Sequence, residues 1–531
     1  MTKHETKAEA AESNRMWASA SFVGVLIIIG LPLWWKTTEV YRVSLPYDKI
    51  SSFDTLSHSI TTELTVLAND EATAAEIVGL IENEFKDSDV IKLKISKQVI
   101  SQQLHSTLNS VADEHEAVEE VAAVFDLDQH NSFYLVQRKP LFQDTWLAGE
   151  RIMFFRDAKA SRTVVQALKR VVYQTSVLEG AKSETADVAR QTRFPPGGGY
   201  HIVLSVVHPR PDALKVELDA GEAVEDYIGS FVDELSVLHN FTLKSQWLHL
   251  LDFDFQAKQV KDTSEWGRHF AVRQDRLHLL LTKLEERTAT HVSELATVNL
   301  ALYAVPCHTA PLVIYDTADQ KVQSHVQAFM SPKWGGVVLG GPGAADCREA
   351  SPTWRPNVRV IMGTFISQLR KLLGITDAEH IEGGHLEPLR SVTPRRWEID
   401  NLLRIRTLEQ LTSAERTLQS LAQLLGEISN IVINDEVGAS INSAVESIEF
   451  ASELMQKGLL VDAYKESQSA FLAAETAFME PSLLALLYFP DDQKYAIYIP
   501  LFLPIMFPVV LSLKNLLLWF RGKPIHKTKQ D

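Results

Sequence analysis

Two uncharged runs stand at opposite ends of an otherwise mixed hydrophobic and polar pattern. Met16 to Trp35 holds 20 residues without a charge between Arg15 and Lys36, and at 1.5 Å rise per helical residue it spans the roughly 30 Å core of a bilayer. Tyr495 to Leu513 supplies 19 more uncharged residues, and Leu516 to Phe520 continues the apolar run beyond Lys514. The pattern predicts transmembrane helices over 16–35 and 495–513. A cleaved leader is the alternative for the first run. Its apolar part would be about 7–15 residues long and would end in small residues, whereas this run ends Leu33-Trp34-Trp35-Lys36, an interfacial anchor. Lys514, Arg521, Lys523, Lys527 and Lys529 follow the second run, and Lys494 alone stands in the fifteen residues before it. That asymmetry places the C-terminal tail, 514–531, in the cytosol. Two crossings put the N-terminal tail, 1–15, there too and leave residues 36–494 on the lumenal side.

Between the runs the pattern alternates short strand-like and longer helix-like stretches. Ile91, Leu93 and Ile95 interleave with Lys92 and Lys94, the period of two of a half-exposed strand. Phe133–Val136, Ile152–Phe155, Ile202–Val207, Phe241–Leu251 and Val298–Val305 read as further strands. Val164, Val165, Leu168, Val171, Val172 and Leu178 share one helical face, as do Val224, Ile228, Phe231, Leu235 and Leu238. This order predicts an α+β region over 36–396, sheets flanked by helices, with a subdomain boundary near 195–199 at Pro195-Pro196-Gly197-Gly198-Gly199. Further breakers fall at Gly335-Gly336, Gly340-Gly341 and Gly383-Gly384. After Trp397 the strand patterns vanish. Three helices, about 397–433, 436–457 and 459–479, make 397–480 a helical segment, and 481–494 a loop leading into the second span.

Composition removes several function classes. The 531 residues carry 52 Lys and Arg against 68 Asp and Glu, a net charge of −16, so the electrostatic attraction that draws proteins onto nucleic acid is missing. The Gly-rich runs lack the Gly-Lys-Ser/Thr of a Walker loop and the G-x-G-x-x-G of a dinucleotide fold. Seventeen histidines form no H-E-x-x-H pair, so neither a metal nor a cofactor is expected. His385 reads as a loop residue, and Asp491-Asp492 as a solvated turn before the second span rather than a carboxylate dyad. Cys307 and Cys347, the only thiols, are either a disulfide of an oxidising compartment or, with His308 beside Cys307, a nucleophile and its base. No known cysteine-peptidase pattern surrounds them, and adjacent residues seldom serve one substrate atom. No catalytic residue is assigned.

Three features point elsewhere. Asn240-Phe241-Thr242 is the chain's one N-x-[ST] sequon, a glycan acceptor if exposed. Lys527 and Lys529, fifth and third from the end, match a dilysine retrieval signal of the endoplasmic reticulum. Pro500, Pro504 and Pro508 recur every four residues on one face of the second span and leave carbonyls without helical donors. Such a face is normally covered, which predicts a contact with partner helices in a multi-subunit assembly.

The ends of the chain resemble a known family. Gly30-Leu-Pro-Leu-Trp-Trp-Lys-Thr-Thr-Glu39 with Ser44-Leu-Pro-Tyr47, and Leu486-Leu-Tyr-Phe-Pro-Asp-Asp-Gln-Lys-Tyr-Ala-Ile-Tyr-Ile-Pro-Leu-Phe-Leu-Pro504, are long and specific strings. Ser331-Pro-Lys-Trp-Gly-Gly336 and Ser420-Leu-Ala-Gln-Leu-Leu-Gly426 add to them. They are similar to the PIG-S family, subunits of the glycosylphosphatidylinositol (GPI) transamidase. The resemblance implies a non-catalytic subunit of an endoplasmic-reticulum membrane complex that replaces the C-terminal signal of a precursor protein with a GPI lipid. It implies a Cys-His site on a partner chain, PIG-K, and companions PIG-T, PIG-U and a GPAA-type subunit. Two competing readings are a lumenal hydrolase or glycan-modifying enzyme using dispersed carboxylates, and a stand-alone adhesion or cargo receptor.

Overall fold

The computed structural model describes residues 3–30, 32–33, 36, 41–53, 56, 58–183, 193–195, 197–253, 256–261, 267–288, 293, 295–343, 345–349, 351–375, 380–428, 431–481, 483 and 491–521. The chain divides into two units, one of Ser52–Arg416 with Ala444–Leu472, the other of Met1–Ser51, Thr417–Ser443 and Ala473–Asp531.

The chain opens with helix α1 (Lys3–Val25), which passes into a π-helical turn at Leu26–Gly30. The larger unit starts with a six-stranded sheet in which β16 (Gly384–Leu386), β4 (Thr145–Leu147), β5 (Ile152–Phe155), β3 (Ser132–Gln137), β1 (Ile60–Ala68) and β2 (Ile91–Val99) lie side by side in that order. Central β1 (Ile60–Ala68) runs parallel to β2 (Ile91–Val99) and β3 (Ser132–Gln137). Between β1 and β2, α2 (Glu71–Phe85) makes the crossover, capped by Asp70, whose side chain accepts from Thr73 N at 2.7 Å. Two more capped helices, α3 (Gln102–Ser110) and α4 (Glu114–Ala122), lead into β3. Their apolar sides, Leu104, Leu108, Val118 and Val121, pack with Val136, Trp146 and Phe154 of the sheet into one core. Then β4 (Thr145–Leu147) and β5 (Ile152–Phe155) form an antiparallel pair, and β5 returns parallel to β3. The predicted helix over 164–178 is two pieces, α5 (Ser161–Ala167) and α6 (Thr175–Lys182), joined through a π-helical turn at Leu168–Val172 and a left-handed Gln174, φ 42°. The wider turn lets adjacent Val171 and Val172 both be buried.

A five-stranded sheet of order β13-β14-β11-β6-β8 follows. Its strands β6 (Gly199–His208), β8 (Asn240–His249), β11 (Ala296–Ala304) and β14 (Gly335–Gly340) are parallel, and β13 (Gln327–Ser331) runs antiparallel on one edge. A three-stranded sheet of β9 (Lys258–Lys261), β10 (Arg268–Arg273) and β12 (Leu312–Tyr315) shares a core with it, closed by α7 (His278–Thr288). Two short strands, β7 (Lys215–Val216) and β15 (Thr353–Trp354), pair in parallel, and helix α8 (Val358–Leu373) packs on β14. The glycines at 335–336 and 340 are packing positions of β14 rather than chain boundaries. A Cβ on Gly335 would lie 1.7 Å from Asn299 O, and one on Gly336 2.0 Å from Gln368 Oε1. The short strand β16 (Gly384–Leu386) then returns to the first sheet beside β4.

The C-terminal helices are α9 (Arg396–Glu427), α10 (Asp435–Lys457), α11 (Leu460–Phe478) and α12 (Asp491–Phe520). Helix α9 stops short of the predicted 433 because Ile433 leaves it to bridge to Arg42. In the smaller unit α1 packs against α12.

A mixed α/β region with a helical C-terminal part is therefore present, but the two membrane spans expected to flank it are not found among the described residues. Among the described residues no helix is long and apolar enough to cross a membrane. Helix α1 begins at Lys3 in charged sequence, and only its last ten residues, Met16–Val25, belong to the predicted 16–35 span, about 15 Å of a roughly 30 Å core. Pro500, Pro504 and Pro508 lie within α12. The two-pass topology, the cytosolic tails and the lumenal assignment of residues 36–494 lose their basis with the spans.

Candidate functional site

The predicted site residues fall in separate places. Cys307 and Cys347 are bonded to each other, with Cα atoms 5.4 Å apart. They sit in short 3₁₀ turns, Cys307–Thr309 and Asp346–Arg348, beyond the carboxyl ends of the adjacent parallel strands β11 and β14. In open α/β sheets that end is where ligands usually bind; here a covalent link occupies it, and both thiols are consumed. His308 shares the first turn. Asn240 opens β8, an edge strand. Asn240 and Thr242 are exposed, while Phe241 between them turns inward and stacks on Tyr200, ring centroids 5.9 Å apart. His385 lies exposed on β16. Asp491 and Asp492 begin α12, and Pro500, Pro504 and Pro508 are exposed on it. Lys527 and Lys529 lie outside the described residues. Among the described residues no group of three His, Cys, Asp or Glu side chains could hold a metal.

The most heavily built polar feature is one that sequence reasoning missed. Helix α9 carries apolar Trp397, Leu403 and Leu408 and charged Glu398, Asp400, Arg404, Arg406 and Glu409, and all of these are buried. A helix buried on every side cannot show a clean apolar stripe. Each of its charges is met by a neighbour. Asp400 receives Arg151 in a two-pronged grip, Nε at 2.6 Å and Nη2 at 2.8 Å, together with His130 Nδ1 at 2.7 Å and the backbone N–H of Asn131 at 3.1 Å. Asn131 is left-handed, φ 63°. Its Oδ1 accepts from Thr62 at 2.8 Å and from Arg404 Nη2 at 3.1 Å, while its Nδ2 donates to Thr61 O and Gly458 O. Trp397 Nε1 donates to Ala148 O at 2.9 Å. Toward the second sheet, Glu398 binds Arg370 and Arg395, each at 2.8 Å, and Glu409 binds Arg193 at 2.8 Å and Arg406 at 3.3 Å.

These charges are held, not poised to react. Burial works to raise the Asp400 carboxyl, but hydrogen bonds from Arg151 and His130 outweigh it and hold the group at about 2. Burial pushes the Arg404 guanidinium below its ordinary value, against the pull of Asp400. An acid fixed as a carboxylate by four donors is a poor proton carrier; it serves as a latch that registers α9 against the first sheet. Removing one side of such a buried pair costs about 3–5 kcal/mol.

With the geometry in place, comparison with known proteins identifies the family. The profile described as Phosphatidylinositol-glycan biosynthesis class S protein, PIG-S, matches residues 21–523. The chain belongs to this family. It is similar to the GPI-anchor transamidase component PIGS of Rattus norvegicus and of Homo sapiens, 32% identical in each case over 97% of this chain and 96% of the relative. A more distant relative, the GPI transamidase component PIG-S homolog of Schizosaccharomyces pombe, is 23% identical over 97% of this chain and 86% of the relative. The PIG-S match covers both sheets and α9, so the residues of the ionic latch lie within the region that defines the family.

Proposed function

We propose that this chain is a non-catalytic component of a GPI-anchor transamidase, acting as a scaffold for the assembly. The similarity carries this reading because it spans nearly all of this chain and of relatives described as transamidase components. The chemistry agrees. Acyl transfer through a thioester needs a free thiolate, and both thiols here are tied into one bond. The nucleophile then belongs to another subunit, PIG-K in the expected assembly with PIG-T, PIG-U and a GPAA-type subunit. The exposed face of α12 bearing Pro500, Pro504 and Pro508 is the stretch we assign to contact with a partner helix.

Affinity purification of the tagged chain from its own cells, with partners identified by mass, tests both statements. Stoichiometric recovery of the other transamidase subunits is expected, with weaker recovery when the three prolines are replaced by leucine. Isolation of the chain alone would refute the assembly role, and unchanged recovery with the triple variant would remove α12 from the interface.

A further inference from the structure

Strand β8 is a sheet edge that pairs with β6 over 10 residues without a break, from Gly199 opposite Asn240 to His208 opposite His249. A typical strand has about 5–6. Asn240 O faces Gly199, where an added Cβ would lie 2.8 Å away, and Leu250 N–H donates to His208 O at 3.0 Å. Backbone groups of successive strand residues point to opposite sides. The even-numbered residues of β8 therefore bond to β6, and Leu243, Ser245, Trp247 and His249 present their N–H and C=O groups outward, where no described strand pairs with them. Proteins usually blunt such an open row with proline, a bulge or charges. Strand β8 has neither proline nor bulge, and Lys244 is its one Lys, Arg, Asp or Glu.

The helical turns of 220–233, between β6 and β8, cover one face of this edge. A Cβ on Gly229 would lie 3.8 Å from Leu243 Cδ1 and 3.5 Å from Glu225 Oε2, so that carboxylate stands beside the strand. Glu222, Glu225, Asp226 and Asp233 are exposed along these turns, and no ion pair joins any of them to a described cation. At the far end of the strand the rings of Trp247 and His249 stack 5.7 Å apart, and Leu250 beyond them is 75% exposed.

We propose that β8, from Leu243 to His249, takes up an extended segment of a partner protein as a further strand, one whose alternate side chains are Lys or Arg. The open backbone groups supply the hydrogen bonds of strand addition. On the helix-covered face, every second side chain of the added strand stands beside the row of carboxylates, which selects cations there. A second copy of the chain fits poorly, since its own β8 offers Lys244 alone. The sequon residue Asn240 lies outside the docking stretch. This surface goes beyond the scaffold role and does not rest on it.

Fluorescence anisotropy of labelled peptides, titrated with the full chain, tests the assignment. One peptide alternates Lys with Val, a second alternates Glu with Val, and a third repeats the Lys-Val sequence with its backbone nitrogens methylated, which keeps the side chains and removes the donors. Saturable binding of the Lys-Val peptide is expected, about tenfold or more tighter than either of the others. Ser245→Pro deletes an outward donor and no bond to β6, and Glu225→Lys with Asp226→Lys reverses two exposed carboxylates. Each should weaken binding about tenfold, and an unchanged thermal midpoint verifies that the charge variant keeps the fold. The assignment is overturned by the absence of saturable binding, by equal binding of the methylated or the Glu-Val peptide, or by a charge variant that binds as the wild type does. Self-association of the chain that Ser245→Pro abolishes would give the edge to a second copy and overturn it equally.

Discussion

His239 shows how much one buried side chain weighs in this molecule. It is 6% exposed, wedged against Tyr200, Phe241 and Tyr464, and its ring lies 3.2 Å from the Tyr464 hydroxyl. Burial, aided by the positive charge of Arg406, pushes the imidazole down to about 3 from its ordinary 6.5. The unfolded chain therefore takes up a proton that the folded chain refuses. Stability from this group is complete above about pH 6.5 and is lost as the pH falls toward 3, by about 1.4 kcal/mol per pH unit. Denaturant unfolding between pH 7 and 4 should show this slope, and His239→Phe, which keeps the ring packing, should flatten it. An unchanged slope in the variant would assign the acid sensitivity elsewhere; Asp400, held at about 2, loses its contribution only below the ordinary carboxylate range. None of this was visible in the sequence, where His239 is one of 17 scattered histidines. Asp400 and Arg404 were equally silent, because nothing local marks a charge whose partner lies hundreds of residues away.

At the level of single elements, legibility followed burial. Strand β2 was plain because it is a sheet edge with one side wet, so its lysines alternate with isoleucine and leucine. Strands β5 and β6 were read from short apolar runs, being buried along almost their whole length. Helix α9 was read as a helix, but its place was not, since its interior charges look like a solvated face. The glycines of β14 were read as breakers because a sequence does not display the Gln368 side chain and the Asn299 backbone that approach them. The Cys307–Cys347 bond closes a loop of 40 residues between the ends of β11 and β14, and the chain-entropy relation gives it about 4 kcal/mol. Replacing both cysteines with serine should lower stability by roughly 2–4 kcal/mol in urea titrations. A loss below about 0.5 kcal/mol, within the range of ordinary surface substitutions, would mean that the two loops are fixed by other contacts.

For the whole molecule, the family was written in the sequence in long strings at both ends. The expected membrane crossings were not met, because apolar content alone does not fix where a regular helix begins and ends: α1 draws its first half from charged residues, and its apolar part passes into a π-helical turn. The sequon at the start of β8 bears on the compartment independently of any crossing. With Asn240 and Thr242 exposed and Phe241 anchored on Tyr200, the acceptor is presented on a rigid edge. Asn240→Gln should raise electrophoretic mobility by one glycan, as enzymatic deglycosylation of the wild type should. Equal mobility before and after enzyme treatment would show that the site is empty. The latch at Asp400 also has a consequence for synthesis. Its partner Arg151 precedes it by 249 residues. At a ribosomal pace of about 5–20 residues per second, Arg151 waits on the order of 10–50 s for its counter-ion. Throughout that interval the first sheet is translated but incomplete, with a cationic flank where α9 will lie, so the newborn chain needs a chaperone's shelter longest at its oldest part.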